Sequence, residues 1–274
     1  MIPAAFDYAR AGSADEAIAL LGEHGDDAKL LAGGHSLLPL MKLRLATPSV
    51  IVDVGRVDDL RYIEERGDEV AIGALTRHHD LETSELLRAQ VPLLPATAHE
   101  VGDPQVRHRG TLGGTLAHGD PASDLPAAVL ALGCTLVVQG PGGRREIAAT
   151  DFFQGFLETA LAPDEMLVEI RAPKVPTAGW SFQKFNRRAQ DWAIVGVAAV
   201  LGDNPGVALV NMGSTPLRAT AVEAAIGEGA AAADAAARAA DGTEAPTDLN
   251  ASPEYRRHLA NVLVRRALEE AAAR

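Results

Sequence analysis

The stretch Gly110-Thr111-Leu112-Gly113-Gly114-Thr115-Leu116-Ala117-His118-Gly119-Asp120-Pro121-Ala122-Ser123-Asp124-Leu125-Pro126 decides how this chain is read. It holds four glycines, three hydroxyl side chains and two aspartates in seventeen residues, and reads as a loop without an apolar run. The apolar segment Ala127 to Leu132 follows and reads as a helix. Glycine has no Cβ and tolerates positive φ, so such a loop lets backbone N–H groups approach a ligand closely. Backbone N–H groups and a helix start favour an anion. A second loop of this kind, Ala32-Gly33-Gly34-His35-Ser36-Leu37, lies about eighty residues upstream. Two phosphate-type loops at that separation point to one long ligand, such as a dinucleotide, held from two sides.

Composition narrows the partners. The chain has 274 residues, 47% of them apolar, which allows a sizeable core and favours more than one domain. A net charge of −12 argues against nucleic acid. The basic clusters are short: Arg107-His108-Arg109, Arg187-Arg188, Arg256-Arg257 and Arg265-Arg266. No basic-then-apolar leader follows Met1, and no apolar run reaches the length of a membrane span, so a cytoplasmic protein is expected. Cys134 is the single cysteine, which rules out an internal disulfide and suits a reducing compartment. An iron–sulfur cluster typically takes four Cys ligands, so this chain cannot hold one alone. Cys134 lies in the strand-like run Gly133 to Val138 and reads as a buried core residue.

Along the chain, Ser13 and Glu16 form a capping-box pattern ahead of a helix through Leu21, with Gly22 and Gly25 ending it. Ala28 to Ala32 reads as a buried strand running into the first glycine loop, Leu37 to Leu45 as a helix, and Val50 to Val54 as a strand. Residues 1–55 therefore form a small α/β unit. Strands are expected at 61–64, 69–72, 134–139, near 144–147 and at 166–171, with helices from about His78 to Val101 and at 124–132. These make a second, longer unit over residues 56–174. The prolines of Ala172-Pro173-Lys174-Val175-Pro176-Thr177 mark a boundary. Residues 175–274 read as three antiparallel strands, at 180–186, 194–201 and 207–211, backed by helices at 216–226, 229–240 and from Pro253. Ser252 is a natural cap for the last helix, with Pro253 at its first position.

The two glycine loops, with Asp124, resemble those of the FAD-binding medium subunits of molybdenum hydroxylases. That group includes the flavin subunit of aerobic carbon monoxide dehydrogenase and the flavin domain of xanthine dehydrogenase. The resemblance runs end to end. Phe182-Gln183-Lys184-Phe185-Asn186-Arg187-Arg188-Ala189-Gln190-Asp191-Trp192-Ala193 looks like the family's Lys–Arg–Asp segment. Met212 to Ala219 and Glu254 to Ala260 are similar to its C-terminal helical region. The resemblance implies an α+β fold: two α/β FAD-binding subdomains of the vanillyl-alcohol-oxidase/PCMH-like type, then a C-terminal three-stranded antiparallel sheet with helices. It implies FAD, held without a covalent bond between the first two parts, with the isoalloxazine reaching the third. It also implies a molybdenum–pterin large subunit and a small subunit with [2Fe–2S] clusters, assembled as a dimer of heterotrimers.

By this resemblance Ala32, Gly33, Gly34, His35, Ser36 and Leu37 wrap the FAD pyrophosphate, with backbone N–H groups and the Ser36 hydroxyl as donors. The alternative is an ordinary strand-to-helix turn. His35 is a phosphate neighbour, a flavin tether or a polar loop residue. Gly110, Thr111, Gly113, Gly114 and Thr115 contact the phosphates and ribityl chain; Thr115 departs from the family's pattern, where Asn is common. Asp124 accepts from ribityl or ribose hydroxyls, or is simply an acid at a helix N-terminus. Leu75, Thr76 and Leu167 match segments near the flavin. Lys184 matches a lysine beside the isoalloxazine, its alternative being a surface lysine. Trp192 is an aromatic next to the ring or a core tryptophan. No catalytic side chain and no metal ligand are expected. His78-His79-Asp80 lacks the i, i+4 spacing of a helical metal pair. The function implied is electron transfer from [2Fe–2S] clusters to an external acceptor. The alternatives are a non-catalytic scaffold and a free-standing flavin oxidoreductase.

Overall fold

The computed structural model describes residues 2–274. The first unit is a parallel three-stranded sheet, with β1 (Asp7–Arg10), β2 (Ala28–Leu31) and β3 (Val50–Asp53) in the order β1-β3-β2. Helix α1 (Ala14–His24) joins β1 to β2, and α2 (Leu37–Leu43) joins β2 to β3. The capping box closes as the sequence requires: Ser13 Oγ accepts from the Glu16 N–H at 3.1 Å, and Glu16 Oε2 accepts from the Gly12 N–H at 2.7 Å. Gly25 ends α1 at φ +55°, whereas Gly22 lies inside it, against the expectation that both glycines stop the helix. β1 was absent from the sequence reading, because it is short and largely exposed and so lacks an apolar pattern.

The second unit is an antiparallel five-stranded sheet. It contains β4 (Ile63–Arg66), β5 (Glu69–Gly73), β6 (Thr135–Gly140) and β7 (Gly143–Ala148). A short hairpin, β8 (Phe153–Gly155) and β9 (Glu158–Thr159), precedes the central strand β10 (Met166–Pro173), and the order is β4-β5-β10-β6-β7. Between β5 and β6 run α3 (His78–Thr83), α4 (Glu85–Gln90), α5 (Leu93–His99), α6 (Pro104–Arg107), α7 (Leu112–His118) and α8 (Asp124–Ala131). Every residue of α8 is buried, which is why its sequence is apolar all round. After β7, α9 (Ala149–Phe152) leads to the hairpin.

The third unit is an antiparallel sheet of β11 (Gly179–Phe185), β12 (Val195–Leu201) and β13 (Gly206–Val210), extended by the two-residue β14 (Leu217–Arg218). Helices α10 (Thr220–Gly227), α11 (Ala232–Ala236) and α12 (Pro253–Ala272) back it. The helix expected from Pro216 starts only at Thr220, because Leu217 and Arg218 pair with β13 instead. The Ala-rich stretch 229–240 is helical only over Ala232–Ala236. Its propensity is favourable, but Gly229, at φ +82°, breaks its start.

Strand alternation welds the units together. On β10, Met166 and Val168 face the first unit's core, while Leu167, Ile170 and Ala172 face the central core. On β12, Ala198 and Val200 join that central core, while Val195, Val197 and Ala199 face the C-terminal helices. Helix α8 fills the space between the second and third sheets so tightly that a Cβ on Gly206 would strike the Ala131 carbonyl. Cys134 is buried and free, as expected, and burial pushes its thiol well above the ordinary range.

Candidate cofactor site at the meeting of two glycine loops

The first loop follows β2 directly. Gly34 takes φ +77°, and its carbonyl accepts from the Leu38 N–H at 3.0 Å, starting α2. The N–H groups of Gly33, Gly34, His35, Ser36 and Leu37 have no acceptor within the described residues. His35 is exposed, and its Nδ1 lies 3.2 Å from the Gly33 carbonyl. Ser36 occupies the N-cap position of α2 without using its hydroxyl there. This loop presents five consecutive backbone donors and a hydroxyl, an arrangement suited to phosphate oxygens.

The second loop is built differently from the reading of its sequence. It is not a continuous loop: α7 forms within it. Thr111 is the N-cap, and its Oγ1 accepts from the Gly114 N–H at 3.2 Å. The Leu112 N–H donates to the Thr76 carbonyl at 3.0 Å, and the Gly113 N–H donates to the Ala74 carbonyl at 2.8 Å. The Thr115 N–H returns to the Thr111 carbonyl at 3.0 Å. The first-turn donors of α7 are therefore committed inside the protein, so the N–H groups of Gly113 and Gly114 are not free for phosphate oxygens. The requirement for glycine at 113 is steric: a Cβ would lie 2.5 Å from the Ala74 Cβ.

The loops touch. A Cβ on Gly33 would collide with the Arg109 carbonyl and would lie 2.9 Å from the Gly110 Cα. Gly110 in turn leaves room for the His78 ring, whose atoms would sit 2.8 Å from a Cβ there. His78 is buried, its Nε2 is 3.0 Å from Thr115 Oγ1, and burial lowers its pKa to about 4, so the ring is neutral at pH 7. Leu75 and Thr76 brace this arrangement from behind. Leu75 is buried in the first unit's core, and the Thr76 hydroxyl donates to the Tyr62 carbonyl at 3.0 Å. Leu167 lies in the central core.

Asp124 begins α8 and is only 5% exposed. Its Oδ2 accepts from Lys184 Nζ at 2.7 Å, and Lys184 also donates to the Glu100 carbonyl at 2.8 Å. The two residues that the sequence reading assigned separate tasks are thus one buried ion pair, and Lys184 is not a surface lysine. Asp124 Oδ1 has no hydrogen-bond partner. Burial pushes the carboxyl pKa up to about 6, with Lys184 opposing the rise. A buried carboxylate oxygen without a donor accords with a ligand hydroxyl arriving there.

Trp192 is 70% exposed, which removes the core-tryptophan alternative. It lies on the segment between β11 and β12, at the mouth of a cavity of about 460 Å³. Asp120, Arg187, Arg188, Asn211 and Arg256 also line that cavity. Arg256 is fully buried, donates to the Ile194 carbonyl and pairs with Asp248 at 2.8 Å, fixing the end of the Trp192 segment. Among the described residues no group of His, Cys, Asp and Glu is arranged to hold a metal ion. No helix is long and apolar enough to cross a membrane. The sequence reading missed Arg77, His78 and Arg109 at the loop junction. Their signal was present in Arg77-His78-His79 and Arg107-His108-Arg109, short runs that carry meaning only once the loops are brought together.

Residues 4–175 match the family described as FAD binding domain in molybdopterin dehydrogenase. Residues 180–271 match the C-terminal domain of the carbon monoxide dehydrogenase flavoprotein. The chain is 42% identical to the carbon monoxide dehydrogenase medium chain of Hydrogenophaga pseudoflava, covering 100% of this chain and 99% of that one. It is 37% identical to the 6-hydroxypseudooxynicotine dehydrogenase complex subunit alpha of Paenarthrobacter nicotinovorans, covering 100% and 97%. Reconstituted carbon monoxide dehydrogenase from Oligotropha carboxidovorans matches with a TM-score of 0.96 at 41% identity, covering 100% of both chains. Quinoline 2-oxidoreductase from Pseudomonas putida 86 matches with a TM-score of 0.92 at 34% identity, covering 100% of this chain and 99% of that one. With both halves of the fold and both glycine loops in place, the chain belongs to the FAD-binding medium subunits of the molybdenum hydroxylases, which are oxidoreductase complexes.

Proposed function

We propose that this chain binds one FAD non-covalently and serves as the electron exit of a larger complex. It receives electrons from [2Fe–2S] clusters on a small partner subunit and passes them to an external acceptor. A molybdenum–pterin large subunit oxidises the substrate, and the assembly is a cytoplasmic dimer of heterotrimers. The single buried cysteine supports this division, since the clusters need thiolates that this chain lacks. FAD supplies the two-electron and one-electron redox chemistry. The chain's own residues bind, orient and shield it.

The observation that carries the flavin assignment is the run of five unpartnered N–H groups from Gly33 to Leu37. They hold the diphosphate, with the Ser36 hydroxyl beside them. Gly110, Thr111, Gly113, Gly114 and Thr115 hold the second wall through packing and hydroxyls, and Leu75, Thr76 and Leu167 support it from the cores. Asp124 Oδ1 accepts a ribityl or ribose hydroxyl, while Lys184 keeps the carboxyl ionised and fixed in direction. Trp192 borders the open side toward the C-terminal sheet. The chain divides at about residues 55 and 174 into two cofactor-binding parts, 1–55 and 56–174, and a third part, 175–274, that closes over the flavin ring.

The test is an absorbance spectrum of the purified chain before and after acid precipitation. Flavin bands that move to the supernatant are the expected outcome. Bands retained by the pellet would mean a covalent link, with His35 the first residue to map. A colourless protein that takes up no added FAD, with or without its partner subunits, would overturn the assignment in favour of a scaffold.

A further inference from the structure

Arg77 stands where the two glycine loops meet. Its backbone forms an isolated bridge with Thr111, and its guanidinium donates to the Arg109 carbonyl. That carbonyl is the atom a Cβ on Gly33 would strike. The guanidinium therefore shares the seam with the unpartnered N–H groups that begin at Gly33.

Among the described residues, no carboxylate forms an ion pair with its guanidinium. Asp80 accepts from Arg77's own backbone N–H at 3.3 Å. Asp53 is held by the Tyr8 hydroxyl at 2.6 Å and the Gly55 N–H at 2.8 Å. Burial lowers Arg77's pKa, with the cations Arg61 and Arg109 adding to the shift and Asp80 and Asp53 partly offsetting it. The chain as a whole carries 37 acids against 25 bases, yet none of those acids pairs directly with the Arg77 guanidinium. A half-buried cation without an ion-pair partner is costly unless an anion completes the site. A guanidinium fork matches phosphate oxygens in geometry and charge.

We infer that Arg77 is the side-chain cation for the diphosphate of the bound dinucleotide, with Arg109 extending the positive rim. The first loop then grips phosphate by backbone donors and fixed charge together. This inference rests on the flavin reading above.

The test uses the deflavinated full-length chain and measures FAD and riboflavin affinity at two ionic strengths. Arg77→Gln keeps a neutral donor for the Arg109 carbonyl and removes the charge, whereas Arg77→Lys keeps the charge. Arg77→Gln is expected to weaken FAD about ten- to hundredfold, to flatten the salt dependence and to leave riboflavin, which lacks phosphate, unchanged. Arg77→Lys is expected to recover most of the FAD affinity. If Arg77→Gln binds FAD with wild-type affinity and salt dependence, the role of Arg77 is wrong while the flavin reading stands. Equal losses of FAD and riboflavin would make Arg77 a structural brace only, again overturning the inference. A wild-type chain that takes up no FAD would overturn the flavin reading itself, and this inference with it.

Discussion

Burial moves Asp124 and His78 in opposite directions across one pH window. The folded Asp124 carboxyl, at about 6, holds its proton more tightly than an ordinary carboxyl at 3.8. Its destabilising contribution is absent below 3.8, grows as pH rises and is complete above about 6. The folded His78 ring, at about 4 against an ordinary 6.5, does the reverse: its contribution is complete above 6.5 and is lost as pH falls toward 4. Thermal melts between pH 4.5 and 7 are expected to separate the two. Asp124→Asn should steepen the net loss on the acid side, and His78→Gln should flatten it. The ion pair gives a second test. Lys184→Met strands a buried carboxylate and should cost about 3–5 kcal/mol at neutral pH, read by chemical denaturation. The same variant should raise the Asp124 pKa further and weaken FAD. If stability and FAD affinity both stayed at wild-type level, the pair would have no structural or binding role.

At the scale of elements, the two loops divide labour that their similar sequences hide. The first presents free donors, while the second commits its donors to the protein and braces the first. Gly33→Ala and Gly113→Ala test this. Each forces a Cβ into neighbouring backbone or side chain, and each should cost about 1–3 kcal/mol in overall stability. Gly33→Ala should abolish FAD uptake by parting the loops. Gly113→Ala should weaken uptake indirectly, by pushing α7 off β5 and β10. Equal FAD affinity in wild type and Gly33→Ala would show that the contact between loops is not needed for the site. The strand–glycine–helix pattern at the first loop was legible from sequence, because a glycine cluster after an apolar run marks a turn whatever surrounds it, whereas at the second loop only the glycine cluster was legible. The helix hidden at 112–118 was not legible, since Gly113 and Gly114 have poor helix propensity and only the bonds to Ala74, Thr76 and Thr111 hold them there.

At the scale of the whole molecule, three separate sheets meet through common cores, with β10 and β12 each facing two layers. In the proposed function, a ligand held by both loops and by Asp124 ties the first two units together. Saturating FAD, at about a hundred times its dissociation constant, should therefore add about 2.7 kcal/mol of stability. For a chain of this size that corresponds to a rise in Tm of about 5–10 °C, measurable by scanning the deflavinated and reloaded protein. No rise in Tm with added FAD would mean that the folded chain does not bind it.

The sequence by itself determined the α+β class, ten of the fourteen strands, the cap of the first helix and the positions of both glycine loops. These follow from local periodicity, caps and turn residues, which act over a few positions. Only the tertiary structure decided which loop presents donors and which braces. It also decided that Asp124 and Lys184 form one buried pair, that Trp192 faces solvent, and that Arg77 and Arg109 meet Gly33. Those outcomes depend on contacts between residues 32 to 76 positions apart, and on which backbone donors and carboxylate oxygens remain unpartnered once the layers close. Burial and missing counter-charges are properties of the packed molecule, and no pattern along the chain records them.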